Sequence, residues 1–204
     1  MPRTTDLPAI LPVGIVLSAG AGRRMGGPKG LLQVGGAPLV RAWVDALAPW
    51  CAEVRVVIGA EMGAQLEALT GAAPTVTTVP NPNWETEDMA ASLRRALEPA
   101  PVPARVLISP VDVPPPPDRA LRALLAAGPP AVLSHRGSPG HPALLTGACA
   151  LEAVRQGTLR AATAGAIEVD TDFIGCTWNL NRPADLEAWL AATRGDEAGP
   201  PRAG

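Results

Sequence analysis

Between residues 14 and 192, short apolar runs alternate with amphipathic stretches of two to three helical turns. This alternation constrains the fold most, because strands separated by helices pair in parallel and bury both faces of their sheet. Runs at 14–18 (GIVLS), 54–58, 74–79, 106–109, 132–135, 143–145 and 167–169 predict strands. Stretches at 38–47, 62–69, 88–97, 119–127 and 183–192 predict helices, with two short ones around Leu151 and Leu159. Pro38 suits a first helical position, and Arg94 and Arg95 end their helix with charge that favours its dipole. The expected architecture is a three-layer α/β/α sandwich on a mostly parallel, Rossmann-like sheet. Ligands of such sheets bind outside the carboxyl ends of the strands. That points to the loops after Ser18, Val79 and Ser109, with a Gly/Pro loop expected between the strands at 132–135 and 143–145.

Composition narrows the function classes. A length of 204 residues and a hydrophobic fraction of 47% suit one folded domain, expected at 12–194 between a flexible 1–11 and a disordered tail at 195–204. A net charge of -2 argues against bulk attraction to nucleic acid or anionic membrane. The apolar stretch from Leu7 is broken by Pro8, Pro12 and glycines, short of the ~20 residues a spanning helix needs and unlike an export leader. Cys51, Cys149 and Cys176 form no CxxC pair, which fits a reducing cytoplasm.

The rare residues carry the information. Lys29 is the one lysine among 17 basic residues, and a lysine is a compact charge on a flexible stem where arginine is a planar fork. The four asparagines fall in two pairs, Asn81 with Asn83 and Asn179 with Asn181. The first pair either forms turns beside Pro82 or lines a site. The second has period-2 spacing, which puts both amides on one side of an extended segment. His135 is expected to be structural, while His141 either caps the turn before Pro142 or contacts a ligand. Neither has a Cys or His partner at zinc-ligand spacing.

Lys29 lies in LSAGAGRRMGGPKGLLQVGGAPLV, residues 17–40, directly after the first strand. A glycine-rich backbone exposes N–H groups that cradle phosphates, and Arg23, Arg24 and Lys29 would complete the cage. The spacing is not the dinucleotide fingerprint, which needs glycine at Met25. It is not a P-loop either, because Pro28 precedes Lys29 and Gly30 follows it.

This stretch resembles LAxGxSxRMGxxKxLLxxxGxPL, the signature of the MobA-like nucleotidyltransferases. NPNWETEDMAASL, LISPVDVP, GSPGHPALL and WNLNRPADL resemble further segments of the family in the same order, so the likeness covers nearly the whole chain. The resemblance implies the nucleotide-diphospho-sugar transferase type of fold. It implies a loop that wraps the triphosphate of an NTP through Leu17, Ser18, Ala19, Gly20, Gly22, Arg23, Arg24, Met25, Gly26 and Lys29, with Asn81 and Ser92 near the nucleotide. Arg24, Lys29 and Asp112 become the catalytic residues. Mg²⁺ is implied on Asp112 and Asn181, and Trp84, His141, Asn179 and Asn181 face the acceptor. Trp43, Trp50, Trp178 and Trp189 are left to the core.

The chain departs from the family pattern at three places. Asp88 stands where Gly often precedes Met89, Gly157-Thr158-Leu159-Arg160 lacks the acid of GDxGxR, and Asn179 and Asn181 stand where two Asp are common. Ala19 and the DMAASL helix start resemble the molybdenum cofactor cytidylyltransferases, implying CMP transfer from CTP to molybdopterin. Asn181 resembles the guanylyltransferases, which use GTP. A sugar- or alcohol-phosphate nucleotidyltransferase and a non-catalytic nucleotide- or cofactor-binding protein are the other readings. The resemblance also implies a recipient molybdoenzyme or its chaperone as a protein partner.

Overall fold

The computed structural model describes residues 10–98 and 101–196. Residues 1–9 and 197–204, which hold most of the expected loose N-terminus and tail, lie outside the described residues. In chain order the elements are β1 (Val13–Ser18), β2 (Gln33–Val34), β3 (Ala37–Pro38), α1 (Leu39–Leu47), β4 (Glu53–Ile58), α2 (Met62–Ala68), β5 (Val76–Pro80) and α3 (Met89–Leu97). They continue with β6 (Arg105–Pro110), α4 (Asp118–Ala127), β7 (Ala131–His135), β8 (Ser138–Thr146), α5 (Gly147–Gln156), α6 (Leu159–Ala162), β9 (Ile167–Asp170) and α7 (Pro183–Asp196). Single 3₁₀ turns occupy Arg23–Met25, Lys29–Leu31 and Ile174–Thr177.

Seven strands form one sheet in the order β5-β4-β1-β6-β8-β7-β9, and β2 pairs with β3 in a separate hairpin. Strands β5, β4, β1 and β6 run parallel, β8 is antiparallel to both β6 and β7, and β9 is parallel to β7. The strand order reverses at β1: the chain leaves it toward β4 and β5 and returns to its other side as β6. The crevice between the carboxyl ends of β1 and β6 is therefore the topological switch point where such sheets bind ligands.

Alternation along β1 builds both cores. Val16 faces α1, whose Leu39, Val40, Trp43, Val44 and Leu47 are all buried at helical spacing. Ile15 and Leu17 face the opposite side, with Leu93 and Leu97 of α3 and Ala150 and Ala153 of α5. This is the expected three-layer sandwich. Trp43, fully buried, donates its indole N–H to the Val113 carbonyl at 2.6 Å, tying α1 to the loop after β6.

The structure revises several expectations. Residues 138–142 are not a Gly/Pro loop but the first half of β8. The β6 ladder reaches only Ala143, and the β7–β8 register slips between Val132 and Ser134. Gly140 and Pro142 thus sit at a bulge, where a missing donor is tolerated. A Cβ on Gly140 would overlap the Cys176 carbonyl, so glycine lets β8 approach the Ile174–Thr177 turn. The 88–97 helix begins one residue later than expected, because Asp88 is its N-cap and accepts from the Ala91 N–H at 2.9 Å. Among the described residues, no helix is long and apolar enough to cross a membrane.

Candidate functional site

A cleft of about 540 Å³ opens at the switch point, walled by the loops after β1, β5 and β6 and the start of α3. The glycine-rich loop is a tight turn rather than a free coil. Gly22 (φ 58°) and Gly26 (φ 80°) bracket the Arg23–Met25 turn in left-handed conformations, and a Cβ on Gly22 would overlap the Gly27 carbonyl. The turn leaves Arg23 and Arg24 exposed along the cleft, with no side-chain hydrogen bond or ion pair to either guanidinium among the described residues.

Lys29, on the next 3₁₀ turn, is the centre of the site. Its Nζ donates to Asp112 Oδ2 at 2.7 Å and to Asn181 Oδ1 at 2.6 Å. Both partners are anchored through their backbones. The ladder between β1 and β6 extends to Val111, whose N–H reaches the Leu17 carbonyl at 3.0 Å, and the Leu180 N–H reaches the Asp112 carbonyl at 2.8 Å. Asp185 accepts from the N–H groups of Asn181 (2.9 Å) and Arg182 (2.8 Å), fixing the turn into α7. Two oxygens from distant segments thus converge on one cationic point. Hard oxygen donors of this kind suit Mg²⁺, which needs only one or two protein ligands beside phosphates and water. The residues present therefore fit such an ion.

On the opposite wall the sequence points to Trp84 and Ser92 alone. Glu85, Glu87, Asp88 and Met89 line it with Trp84 and Ser92. Glu87 pairs with Arg95 at 2.8 Å, and that guanidinium holds its carboxyl below the usual range. Gly59 permits this wall's approach: a Cβ there would stand 2.6 Å from both the Ala19 carbonyl oxygen and Trp84 Cβ.

A second cavity of about 440 Å³ lies beyond Met89, which lines both. It holds His141 and Asn179 with Thr158, Arg160 and Thr163, of which only the first two were expected at a site. His141 Nδ1 is buried with no hydrogen-bond partner. Burial pushes the imidazole below its ordinary pKa, against the opposing pull of Asp112. The ring is therefore neutral, and an unpartnered buried nitrogen costs least as a bare lone pair, which leaves Nε2 as the N–H donor.

Of the expected nucleotide residues, Leu17, Ala19, Gly20, Gly22, Arg23, Arg24, Lys29 and Ser92 line the cleft, and Ser18, Met25, Gly26 and Asn81 do not. Ser18 turns its hydroxyl to Gln65 Oε1 at 2.6 Å. Asn81 is buried, accepting from the Asn83 N–H at 3.0 Å and donating to Ser92 Oγ at 3.2 Å, so it braces the loop. The expectation that Asn179 and Asn181 share one side is corrected. The Asn181 N–H bonds the Asn179 carbonyl at 3.1 Å, a tight turn that sends one amide to each cavity. Trp84, expected at the acceptor with His141, lies in the first cleft. His135 is tied by Nδ1 to the Thr171 carbonyl at 2.9 Å, the structural role expected of it.

Comparison with known proteins places this architecture. Residues 14–169 match the MobA-like NTP transferase domain. A molybdenum cofactor guanylyltransferase from Sinorhizobium fredii is 30% identical over 100 residues, 49% of this chain and 45% of that protein. The match thus spans less than half of that relative's length. A nucleotidyl transferase from Methanothermobacter thermautotroptrophicus superposes with a TM-score of 0.74 at 23% identity, over 91% of this chain and 99% of that one. A Mycobacterium tuberculosis protein solved in complex with manganese superposes with a TM-score of 0.69 at 22% identity, over 89% and 99% of the two chains.

Proposed function

Because the chain belongs to the MobA-like NTP transferase domain family, we propose that it transfers CMP from CTP to the phosphate of molybdopterin, releasing pyrophosphate. The observation that carries nucleotidyl transfer is the convergence of Lys29, Asp112 and Asn181 below a glycine-bracketed turn bearing two exposed arginines, and the choice of CTP follows Ala19 and the DMAASL helix start. An acceptor phosphate oxygen attacks the α-phosphorus in line. The new P–O bond forms as the bond to the β-phosphate oxygen breaks, and pyrophosphate carries away the electron pair. No general base is needed, since the attacking phosphate is already ionised.

The protein's work is alignment and charge. Backbone N–H groups of the loop and the cations of Arg23, Arg24 and Lys29 hold the triphosphate. Ser92, whose oxygen already accepts from Asn81, keeps its hydroxyl proton for the nucleotide. Asp112 and Asn181 would hold Mg²⁺, which when bound neutralises phosphate charge and polarises the reacting phosphoryl group. The acceptor is assigned to the second cavity, where neutral His141 offers an N–H, Asn179 an amide and Arg160 a charge. The shared Met89 wall brings its phosphate toward the first cleft.

Guanylyl transfer from GTP is the second reading, favoured by the name of the Sinorhizobium fredii relative and by Asn181. The test is incubation with α-³²P-labelled CTP or GTP, Mg²⁺ and molybdopterin. Label entering a molybdopterin dinucleotide from CTP supports the main reading, and label from GTP alone moves the assignment to guanylyl transfer. Absence of transfer and of pyrophosphate release with either nucleotide overturns both.

A further inference from the structure

The position between Asp112 and Asn181 that suits a divalent ion is the position of the Lys29 ammonium. Nζ lies 2.7 Å and 2.6 Å from the two oxygens, whereas Mg²⁺ would sit about 2.1 Å from each. A metal on the same two oxygens would stand within about 5 Å of the ammonium, a like charge competing for the same lone pairs. The backbones that carry the two oxygens are held, Asp112 by its carbonyl, which accepts from the Leu180 N–H, and Asn181 by its N–H, which donates to the Asp185 carboxylate. Lys29, in contrast, reaches the point on a flexible four-carbon stem. When a cation must leave, the lysine is the one that moves.

We propose that Lys29 and the divalent metal are alternative occupants of one two-oxygen site, so that the metal enters only with a nucleotide whose phosphates take over the Lys29 ammonium. This rests on the reading that Asp112 and Asn181 hold the metal. With Lys29 in place the charges of Asp112 and Lys29 cancel, and an aqueous dication gains no net attraction. A metal–triphosphate complex brings its own anions, and Lys29 can exchange a carboxylate for a phosphate without becoming unpaired. The exchange commits the metal site and the phosphate site to fill together. It also explains lysine in a chain that otherwise uses arginine. An ammonium gives the two oxygens one compact charge, whereas a guanidinium would present a planar fork.

The experiment uses Mn²⁺ as the probe, with no nucleotide, reading free Mn²⁺ by electron paramagnetic resonance. Lys29→Met is expected to bind Mn²⁺ roughly tenfold or more tighter than wild type, because a like charge has left the site. Lys29→Met/Asp112→Asn is expected to lose that gain. Equal affinity in wild type and Lys29→Met overturns the proposal, as does a gain that survives removal of the Asp112 charge. The wild type gives a second reading free of any folding defect. With one lysine in the sequence, ¹³Cε-lysine labelling yields a single side-chain resonance. Mg²⁺ alone is expected to leave it in place, and Mg²⁺ with CTP or GTP to shift it. A shift with Mg²⁺ alone that saturates at micromolar metal overturns the exchange. Failure of both nucleotides to bind in this series overturns the nucleotidyl-transfer reading instead, whatever the Mn²⁺ result.

Discussion

Gly30→Ala is the most informative test of how the fold positions Lys29. Gly30 is buried in the 3₁₀ turn Lys29–Leu31, directly after the lysine. A Cβ there would land on the Ser18 hydroxyl, 3.1 Å from Gln65 Oε1 and 3.3 Å from Val40 Cβ. The φ angle needs no glycine, so the effect is steric. Overpacking of this kind costs about 1–3 kcal/mol. Ser18→Ala alone removes the 2.6 Å bond to Gln65 and strands its acceptor oxygen, costing about 1–3 kcal/mol. In the double variant the hydroxyl that blocks the new methyl is gone, and only the 3.1 and 3.3 Å contacts remain, which small shifts relieve. The two costs should therefore fail to add by roughly 1 kcal/mol or more. At roughly 2–4 °C per kcal/mol for a domain of this size, thermal denaturation of the four proteins resolves the difference. Gly30→Ala should also weaken nucleotide binding, since relief of the clash moves the turn that carries Lys29. Wild-type stability in Gly30→Ala, or strict additivity in the double variant, would refute the reasoning.

Three further outcomes are expected. Asp88→Ala removes the N-cap of α3 and should cost about 1 kcal/mol in urea denaturation, while Asp88→Asn keeps most of it. His141 is held below its ordinary value of 6.5 by burial, so the unfolded chain takes up the proton first as pH falls. Its contribution is complete above about pH 6.5 and is lost as pH drops from there toward the folded value. Wild type should lose more stability than His141→Gln between pH 7.5 and 5.5, and equal losses would count against the buried neutral ring. Burial pushes the Cys51 thiol up to about 12 and Cys176 to about 11, so an aromatic disulfide reagent should titrate at most Cys149 in the native protein and all three cysteines after denaturation.

Much of this was legible in the sequence because it is local. The glycine-rich loop, the strand that launches it and the aspartate after VLISP are each short-range patterns. What escaped was set by partners far along the chain. The pairing of Lys29 with Asp112 and Asn181 joins residues 83 and 152 positions apart. The first half of β8 was hidden by Pro139, Gly140 and Pro142, which forbid a regular ladder but are accommodated at a bulge beyond the end of β6. Alternation in NLN suggested two amides on one side, yet a hydrogen bond across the three residues turns them apart. Asn81 and Ser18 sit inside matched motifs, and only their neighbours Ser92 and Gln65 show that they brace the cleft from behind.

The central claim is that the cleft between β1 and β6 binds an NTP together with a divalent metal. The most direct measurement is the melting temperature of wild type and Asp112→Asn with CTP, GTP, ATP and UTP, each with and without Mg²⁺. A ligand at a hundred times its dissociation constant stabilises the folded state by about 2.7 kcal/mol. The account predicts a rise for wild type with CTP or GTP that is larger with Mg²⁺, and loss of the Mg²⁺ increment in Asp112→Asn. No rise with any nucleotide, or an increment untouched by Asp112→Asn, would contradict it.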